Sequence, residues 1–345
     1  IVLSIKYRER NDHGDWVGGP MYYIKNGMGK HWKWLGILFC LFAMLASFGI
    51  GNGAQANSIV GSIYNAITTF VPSADNAHSR FLISLVCGVI MAFLVALILF
   101  GGIKRIGAVT EKLIPFMSLF YILFTLIVIG AHAGNIGKAF QLIFASAFTP
   151  EAVLGAGSGI LLKQTIIWGM RRSAFSNEAG LGSAAIAHAA ADTDGPVHQG
   201  VFGIFEVFVD TIVICSLTAL TIICSGVEIP FGVKPGSELI MQAFATVFGA
   251  RFASLFVAFA LMLFAFSTIL GWSLYGTRCT QFLFGLKATK IFQGAFIVVV
   301  VLGSVASLDT VWDVADTFNG LMAIPNFIAV FALSGVVAKE TRKFF

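Results

Sequence analysis

Long apolar runs alternate with short polar turns along almost the whole chain. An apolar stretch of about 20 residues crosses a bilayer core as a helix. By that measure the pattern predicts eight spans, at roughly 34–60, 80–101, 112–132, 158–190, 199–225, 251–284, 289–308 and 315–338. Turn-forming clusters separate them, among them Pro72-Ser73-Ala74-Asp75-Asn76 and Asp192-Thr193-Asp194-Gly195-Pro196. One span departs from the pattern. The stretch ILLKQTIIWGMRRSAFSNEAGLGSAAIAHAAA, residues 160–191, begins and ends apolar but carries Arg171, Arg172, Ser173, Ser176, Asn177 and Glu178 in its middle, followed by Gly180 and Gly182. A charge at bilayer depth costs about 2.5–3.5 kcal/mol on insertion scales, so such residues need partners, water or an ion and mark a functional site. Because ILLKQTIIWGM alone is too short to cross, the stretch reads as a helix broken near the bilayer midplane; an interfacial loop between two short helices is the alternative.

Composition agrees with a membrane protein: 57% of residues are hydrophobic and 11% charged, against roughly 25% charged in a soluble domain. Thirty-four Phe and 37 Gly suit helices that face lipid on one side and pack closely on the other. The excess of 22 Lys and Arg over 17 Asp and Glu is informative through its placement, and it points to no nucleic-acid partner. Fifteen of the 22 fall before the first predicted span (Lys6 to Lys33), in the alternate loops holding Lys104, Arg105, Lys112, Arg278, Lys287 and Lys290, and in the tail (Lys339, Arg342, Lys343). By the positive-inside rule the chain start and the C-terminal tail are cytoplasmic; the 192–198 turn, placed on that side without Lys or Arg, is the weakest point of the topology. Cys40, Cys87, Cys215, Cys224 and Cys279 form no CxxC pair and read as packing residues. No HExxH, GxSxG or paired His/Cys set appears, which argues against an enzyme and against a resident cofactor.

A faint internal repeat accompanies this layout. The first and sixth spans are both long, both follow a Gly/Pro turn and a short amphipathic piece (Gly19 to Tyr23; SELIMQAFATVF), and both turn polar partway, at SFGIGNGAQANS (47–58) and STILGWSLYGT (267–277). The first would run outward and the sixth inward, as in the inverted repeats of secondary transporters. On this reading the broken helix and the 199–225 span have counterparts that precede Ile1, and the chain is an N-terminally truncated piece of a longer protein.

Several polar residues inside apolar segments are candidates for chemistry. Ser176, Asn177 and Gly180 belong to the broken helix, where freed backbone groups and side-chain oxygens meet ions and carboxylates. Thr268 and Trp272, four apart, share one helical face; the alternative is a Thr268 hydroxyl bonded back to a helical carbonyl and a Trp272 ring at the lipid interface. Glu206 and Asp210, also four apart, repel one another unless a proton or cation intervenes, and a network with Arg171, Arg172 and Glu178 is expected over direct ligation of a cation. His188 and His198 flank a turn and read as solvated or capping residues. Lys163 is expected to snorkel, and Asp309, Asp313 and Asp316 form either an acidic outer mouth or a solvated loop.

NEAGLGSAAIAHAAADTDGPVHQG closely resembles the signature of the sodium:alanine (alanine or glycine:cation) symporter family, and VGGPMYYIKNGMG resembles its other characteristic motif. SFGIGNGAQANS, FSTILGW and AIPNFIAVFALSGVV are also similar to family segments, so the resemblance spans essentially the whole chain. It implies an all-α membrane protein with a leucine-transporter-like five-plus-five inverted repeat, here lacking the first core helix and most of the second. Residues 1–345 would then be a single transmembrane domain, with 1–132 as the remainder of the first repeat and 150–338 as the second. The implied function is sodium-coupled symport of a small neutral amino acid, alanine or glycine, by alternating access in the plasma (inner) membrane, with sodium as coupling ion and the lipid bilayer as surrounding. Transport of another small amino acid, proton coupling, or a cation channel are the alternatives. The resemblance also implies that Gln55, Phe175, Thr268 and Trp272 line the amino-acid pocket together with the broken-helix residues, and that Ser267 or Thr268 offers oxygen to sodium. Oligomeric state is left open.

Overall fold

The structure, a computed structural model, describes residues 1–148, 158–229, 236–306 and 308–345; the side chains of Lys163, Arg171, Asp309 and Asp313 lie outside what it describes. Apart from one two-stranded hairpin, the described chain is helical. Helix α1 (Val2–Lys6) leads into strands β1 (Glu9–Arg10) and β2 (Trp16–Val17), which pair antiparallel with Arg10 opposite Trp16. Helix α2 (Pro20–Tyr23) starts on a proline, whose missing N–H suits a first helical position, and it is buried throughout instead of amphipathic as expected.

The first long span is one continuous helical run of 41 residues, Lys30–Phe70. Within it α3 (Lys33–Phe48) passes through a π-helical stretch, Gly49–Gly53, into α4 (Ala54–Phe70). It outlasts the expected end near 60 because the polar residues that follow bond within the helix: Thr69 Oγ1 donates to the Asn65 carbonyl at 2.7 Å. Helix α5 (Ala77–Leu99) is capped by Asn76, which accepts from the Ser79 N–H at 2.8 Å. Helix α6 (Gly102–Ala131) and the shorter α7 (Ile136–Phe148) complete this half.

The span expected over 158–190 is divided: α8 (Ser158–Asn177) stops, five residues turn, and α9 (Ser183–His188) resumes. Helix α10 (Pro196–Val207) continues through a π-helical stretch, Phe208–Cys215, into α11 (Ser216–Ser225), which ends on left-handed Gly226. Helix α12 (Glu238–Phe248) precedes the 35-residue α13 (Ala250–Phe284), then α14 (Leu286–Val305). The last expected span, 315–338, ends earlier. Helix α15 (Leu308–Ala332) bends by 58° into α16 (Ser334–Phe344), whose Lys339, Glu340, Arg342 and Lys343 have no place in hydrocarbon. Six helical runs among the described residues are long and apolar enough to cross a membrane, seven if the bent α15–α16 pair counts as one.

Packing follows a reciprocal scheme. Helix α13 lies along α3 and α4, α14 lies along α5, and α15 packs on α3 while α6 packs on α13. Small residues allow the tight crossings, as expected where lipid removes the hydrophobic drive between helices. At Gly303 of α14 an added Cβ would lie 2.4 Å from the Gly53 Cα, and at Gly88 of α5 it would lie 2.1 Å from the Ser304 Oγ. Outward, Phe93, Leu119, Ile204, Ile291 and Phe331 are exposed, as lipid-facing side chains should be. Arg278 near the end of α13 and Lys287 and Lys290 at the start of α14 border one cleft with Asn11, Asp15 and Gly102. Lys6 and Glu340 tie the first helix to the last at 2.8 Å.

We expect Gly303→Ala to destabilise the bundle by about 1–3 kcal/mol, because the clash is with backbone and nothing flexible can move aside. A lowered melting temperature in detergent checks this; an unchanged one would mean that α14 and the Gly49–Gly53 stretch do not touch as described.

Candidate functional site

The interruption between α8 and α9 is built by residue type. Asn177 closes α8, its Oδ1 accepting the Ala179 N–H at 2.9 Å. Glu178 is the one non-glycine with positive φ (55°) among the described residues, and Gly180 and Gly182 follow with φ of 86° and 92°. The backbone groups freed by such a turn need partners inside a membrane. Asn326 of α15 supplies one: its Nδ2 donates to the Gly180 carbonyl at 2.8 Å, while its Oδ1 accepts from the Tyr23 hydroxyl. At the far end of α9, Arg8 donates to the carbonyls of Ala189 (3.1 Å) and Ala191 (2.7 Å). Close packing requires the glycines as much as the turn does: a Cβ on Gly182 would lie 2.6 Å from Pro20 Cγ, and one on Gly18 2.6 Å from Ala189 Cβ. The segments NEAGLGSAAIAHAAA, VGGPMYY and AIPNFIAVF therefore meet at one place.

Beside this junction lies a cavity of about 910 Å³. Ser176, Asn177 and Glu178 enter it from the break, Ser267, Thr268, Trp272 and Tyr275 from α13, and His13 to Trp16 from the hairpin turn. Trp272 is 2% exposed, so it is no lipid-interface residue; its Cβ and ring lie against Gly51, where an added Cβ would be 2.2 Å away. Its ring meets Tyr275 edge-on at 5.3 Å between centroids. The Ser267 and Thr268 hydroxyls both donate to the Phe264 carbonyl, at 2.8 and 3.1 Å. Back-bonding of this kind uses the proton and leaves oxygen lone pairs free to meet a cation.

Three candidates lie elsewhere. Gln55 does not line the cavity; its Nε2 donates to the Ile50 carbonyl at 3.0 Å across the π-helical stretch. Phe175 packs against the buried cluster around Trp272, with the Arg172 guanidinium 5.6 Å from its ring centre. Gly180 serves the junction, facing Phe327 and giving its carbonyl to Asn326.

The carboxylate pair is linked to the broken helix through Ser176 and His188. Asp210 accepts from the Ser176 Oγ at 2.7 Å. Glu206 lies 2.8 Å from His188 Nε2, and Gln199 Nε2 lies 2.8 Å from His188 Nδ1. Arg172 pairs with Asp316 at 3.0 Å, so Asp316 is no freely solvated loop acid; Arg171, Asp309 and Asp313, the other members of the expected groups, lie outside the described side chains. His188 is likewise a bridge and not a solvated turn residue. Glu178 interacts electrostatically with Glu206 of the pair, accepts from the Ser183 Oγ at 2.7 Å and interacts with Tyr275 and Trp272. Glu178, Glu206, Asp210 and Asp15 thus line a cavity that no Lys or Arg of the described residues enters.

Sequence reasoning missed Gly51, Tyr23, Asn326 and the hairpin turn as parts of this region. Asn326 follows Pro325 within an apolar helix, an intramembrane polar residue whose cost alone was a signal.

Comparison with known proteins gives a consistent picture. The sequence model of the sodium:alanine symporter family matches residues 1–345. The chain is 42% identical over 348 residues to the sodium/alanine symporter AgcS of Methanococcus maripaludis, covering 99% of this chain and 72% of that protein. It is 36% identical over 340 residues to the amino-acid carrier protein AlsT of Bacillus subtilis (98% and 68% covered). It is also 36% identical over 338 residues to the probable sodium/glutamine symporter GlnT of the same organism (97% and 66% covered).

We expect Asn326→Ala to strand both the Gly180 carbonyl and the Tyr23 hydroxyl, at about 1–3 kcal/mol for each buried group. Tyr23→Phe should cost less, because it removes only one partner. Thermal unfolding in detergent ranks the two; equal melting temperatures for both variants and the unaltered protein would remove Asn326 from its bridging role.

Proposed function

This chain belongs to the sodium:alanine symporter family, a family of transporters and not of enzymes, and we propose that it carries a small neutral amino acid, alanine or glycine, together with sodium across the plasma membrane by alternating access. The observation that carries this reading is the meeting of the broken-helix residues Ser176 and Asn177 with Ser267, Thr268 and Trp272 around one cavity. In this assignment Ser267 and Thr268 give hydroxyl oxygen to sodium, a hard cation that favours such donors. Asn177 and Ser176 hydrogen-bond the polar end of the amino acid, and Trp272 bounds its apolar end. The carboxylate-lined wall, which no Lys or Arg of the described residues enters, favours both the ammonium group and the ion. Gln55, Phe175 and Gly180 act one layer back, holding the π-helical stretch, the Trp272 cluster and the Asn326 junction.

The same reading takes the architecture as a five-plus-five inverted repeat. The reciprocal packing supports it: the proposed partners α3–α4 and α13 lie against each other, as do α5 and α14, and each third helix crosses the opposite first one. The excess of Lys and Arg in the chain start, the alternate loops and the tail supports a cytoplasmic chain start and tail, and Lys6 of α1 pairs with Glu340 of α16. A longer neutral amino acid is the second reading, favoured by a cavity far larger than an alanine side chain needs and by the glutamine in one relative's name.

Proteoliposomes holding the intact protein should take up labelled alanine only under an inward sodium gradient, and equal uptake in potassium would overturn sodium symport. Unlabelled glycine should compete, whereas stronger competition by glutamine would favour the second reading. Thr268→Ala should raise the half-saturating sodium or alanine concentration about tenfold, roughly 1.4 kcal/mol of binding. Unchanged values for both would exclude Thr268 from the site.

A further inference from the structure

A second cleft, about 370 Å³, lies on the other side of the hairpin turn, between the end of α13 and the start of α14. Its walls combine three cations with a single carboxylate among the described residues. Arg278 is only 8% exposed; its Nη1 donates to Gln281 Oε1 at 2.8 Å, and it pairs with Asp15 at 3.7 Å. Lys287 and Lys290 have no acid within ion-pair distance among the described residues, and their spacing of three places them side by side on α14. The Asn11 Nδ2, a buried donor, has no acceptor. Leu99, Ile106 and Leu286 supply an apolar wall, and Phe100, Phe284 and Ile291 stand exposed nearby at the end of the spans.

We propose that this cleft binds a phosphate-bearing anion, with the headgroup of an anionic phospholipid as its source. Two adjacent lysines, a buried guanidinium and an unpaired amide donor match phosphate oxygens, which accept several hydrogen bonds at once. The ends of spans place these groups at headgroup depth, where basic pockets between transmembrane helices meet anionic lipid. The exposed aromatic and aliphatic residues beside it suit acyl chains. Asp15 is the group an arriving phosphate competes with for Arg278, so its charge opposes binding. The assignment is independent of which substrate the protein transports.

The intact protein, reconstituted in vesicles of phosphatidylcholine with phosphatidylglycerol and then analysed by native mass spectrometry, should retain phosphatidylglycerol in preference to phosphatidylcholine. Lys287→Gln and Lys290→Gln should each reduce that retention about fivefold. Asp15→Asn should increase it, a change opposite in direction to any general loss of fold. Millimolar inorganic phosphate that displaces the lipid would show that the headgroup phosphate carries recognition, and failure to displace it would assign the site to the whole lipid. No preference for phosphatidylglycerol together with no phosphate binding, or a preference untouched by all three substitutions, would overturn the proposal.

Discussion

A helix interrupted inside a bilayer must give its freed backbone groups new partners, because lipid offers none. Asn326 meets that constraint by donating to the Gly180 carbonyl while accepting from Tyr23. Three segments distant in sequence are thereby held to one geometry. Gly18 and Gly182 are fixed by the same junction, since each lies where a side chain would strike the neighbouring backbone or ring. The strained φ of Glu178 persists because the surrounding contacts hold it, Ser183 among them.

Much of the helix layout was legible, because apolar length is a direct consequence of bilayer thickness. The Ala250–Phe284 helix begins and ends within a residue of its expected bounds. Ends set by other forces were less legible. The first span runs on to Phe70 because threonine hydroxyls bond back within the helix, and the last stops at Ala332 because a bend turns charged residues out of hydrocarbon. The broken helix announced itself through its charges, yet the partners of those charges could not be read. Arg172 and Asp316 are 144 positions apart, and only packing brings them together.

Within the candidate site the pattern was similar. Thr268 and Trp272 share a helical face by spacing alone, and the structure turns both to the cavity. What spacing could not show is that Trp272 depends on Gly51 for room, or that Gln55 is turned back to Ile50. The π-helical stretch from Gly49 to Gly53 accounts for both: its small residues admit the indole, and its altered carbonyl pattern leaves the Ile50 oxygen for the glutamine amide.

The electrostatics of the cavity link this geometry to cation coupling. Placing several carboxylates around one cavity is unfavourable unless positive charge or hydrogen bonds offset their repulsion. Here Ser176, His188 and Ser183 meet Asp210, Glu206 and Glu178 at hydrogen-bond distance, and Arg172 pairs with Asp316. Such hydrogen bonds soften the negative potential without cancelling it. A wall arranged in this way attracts a mobile cation where a fixed arginine would have excluded one, and a substrate that brings its own ammonium group meets the same field. On the proposed reading, sodium and the ammonium group of the amino acid are drawn to the same negative field, and their mutual repulsion stays small only if they are held apart. The hydroxyls on α13 and the carboxylates on α10 and its π-helical continuation provide that separation across the cavity.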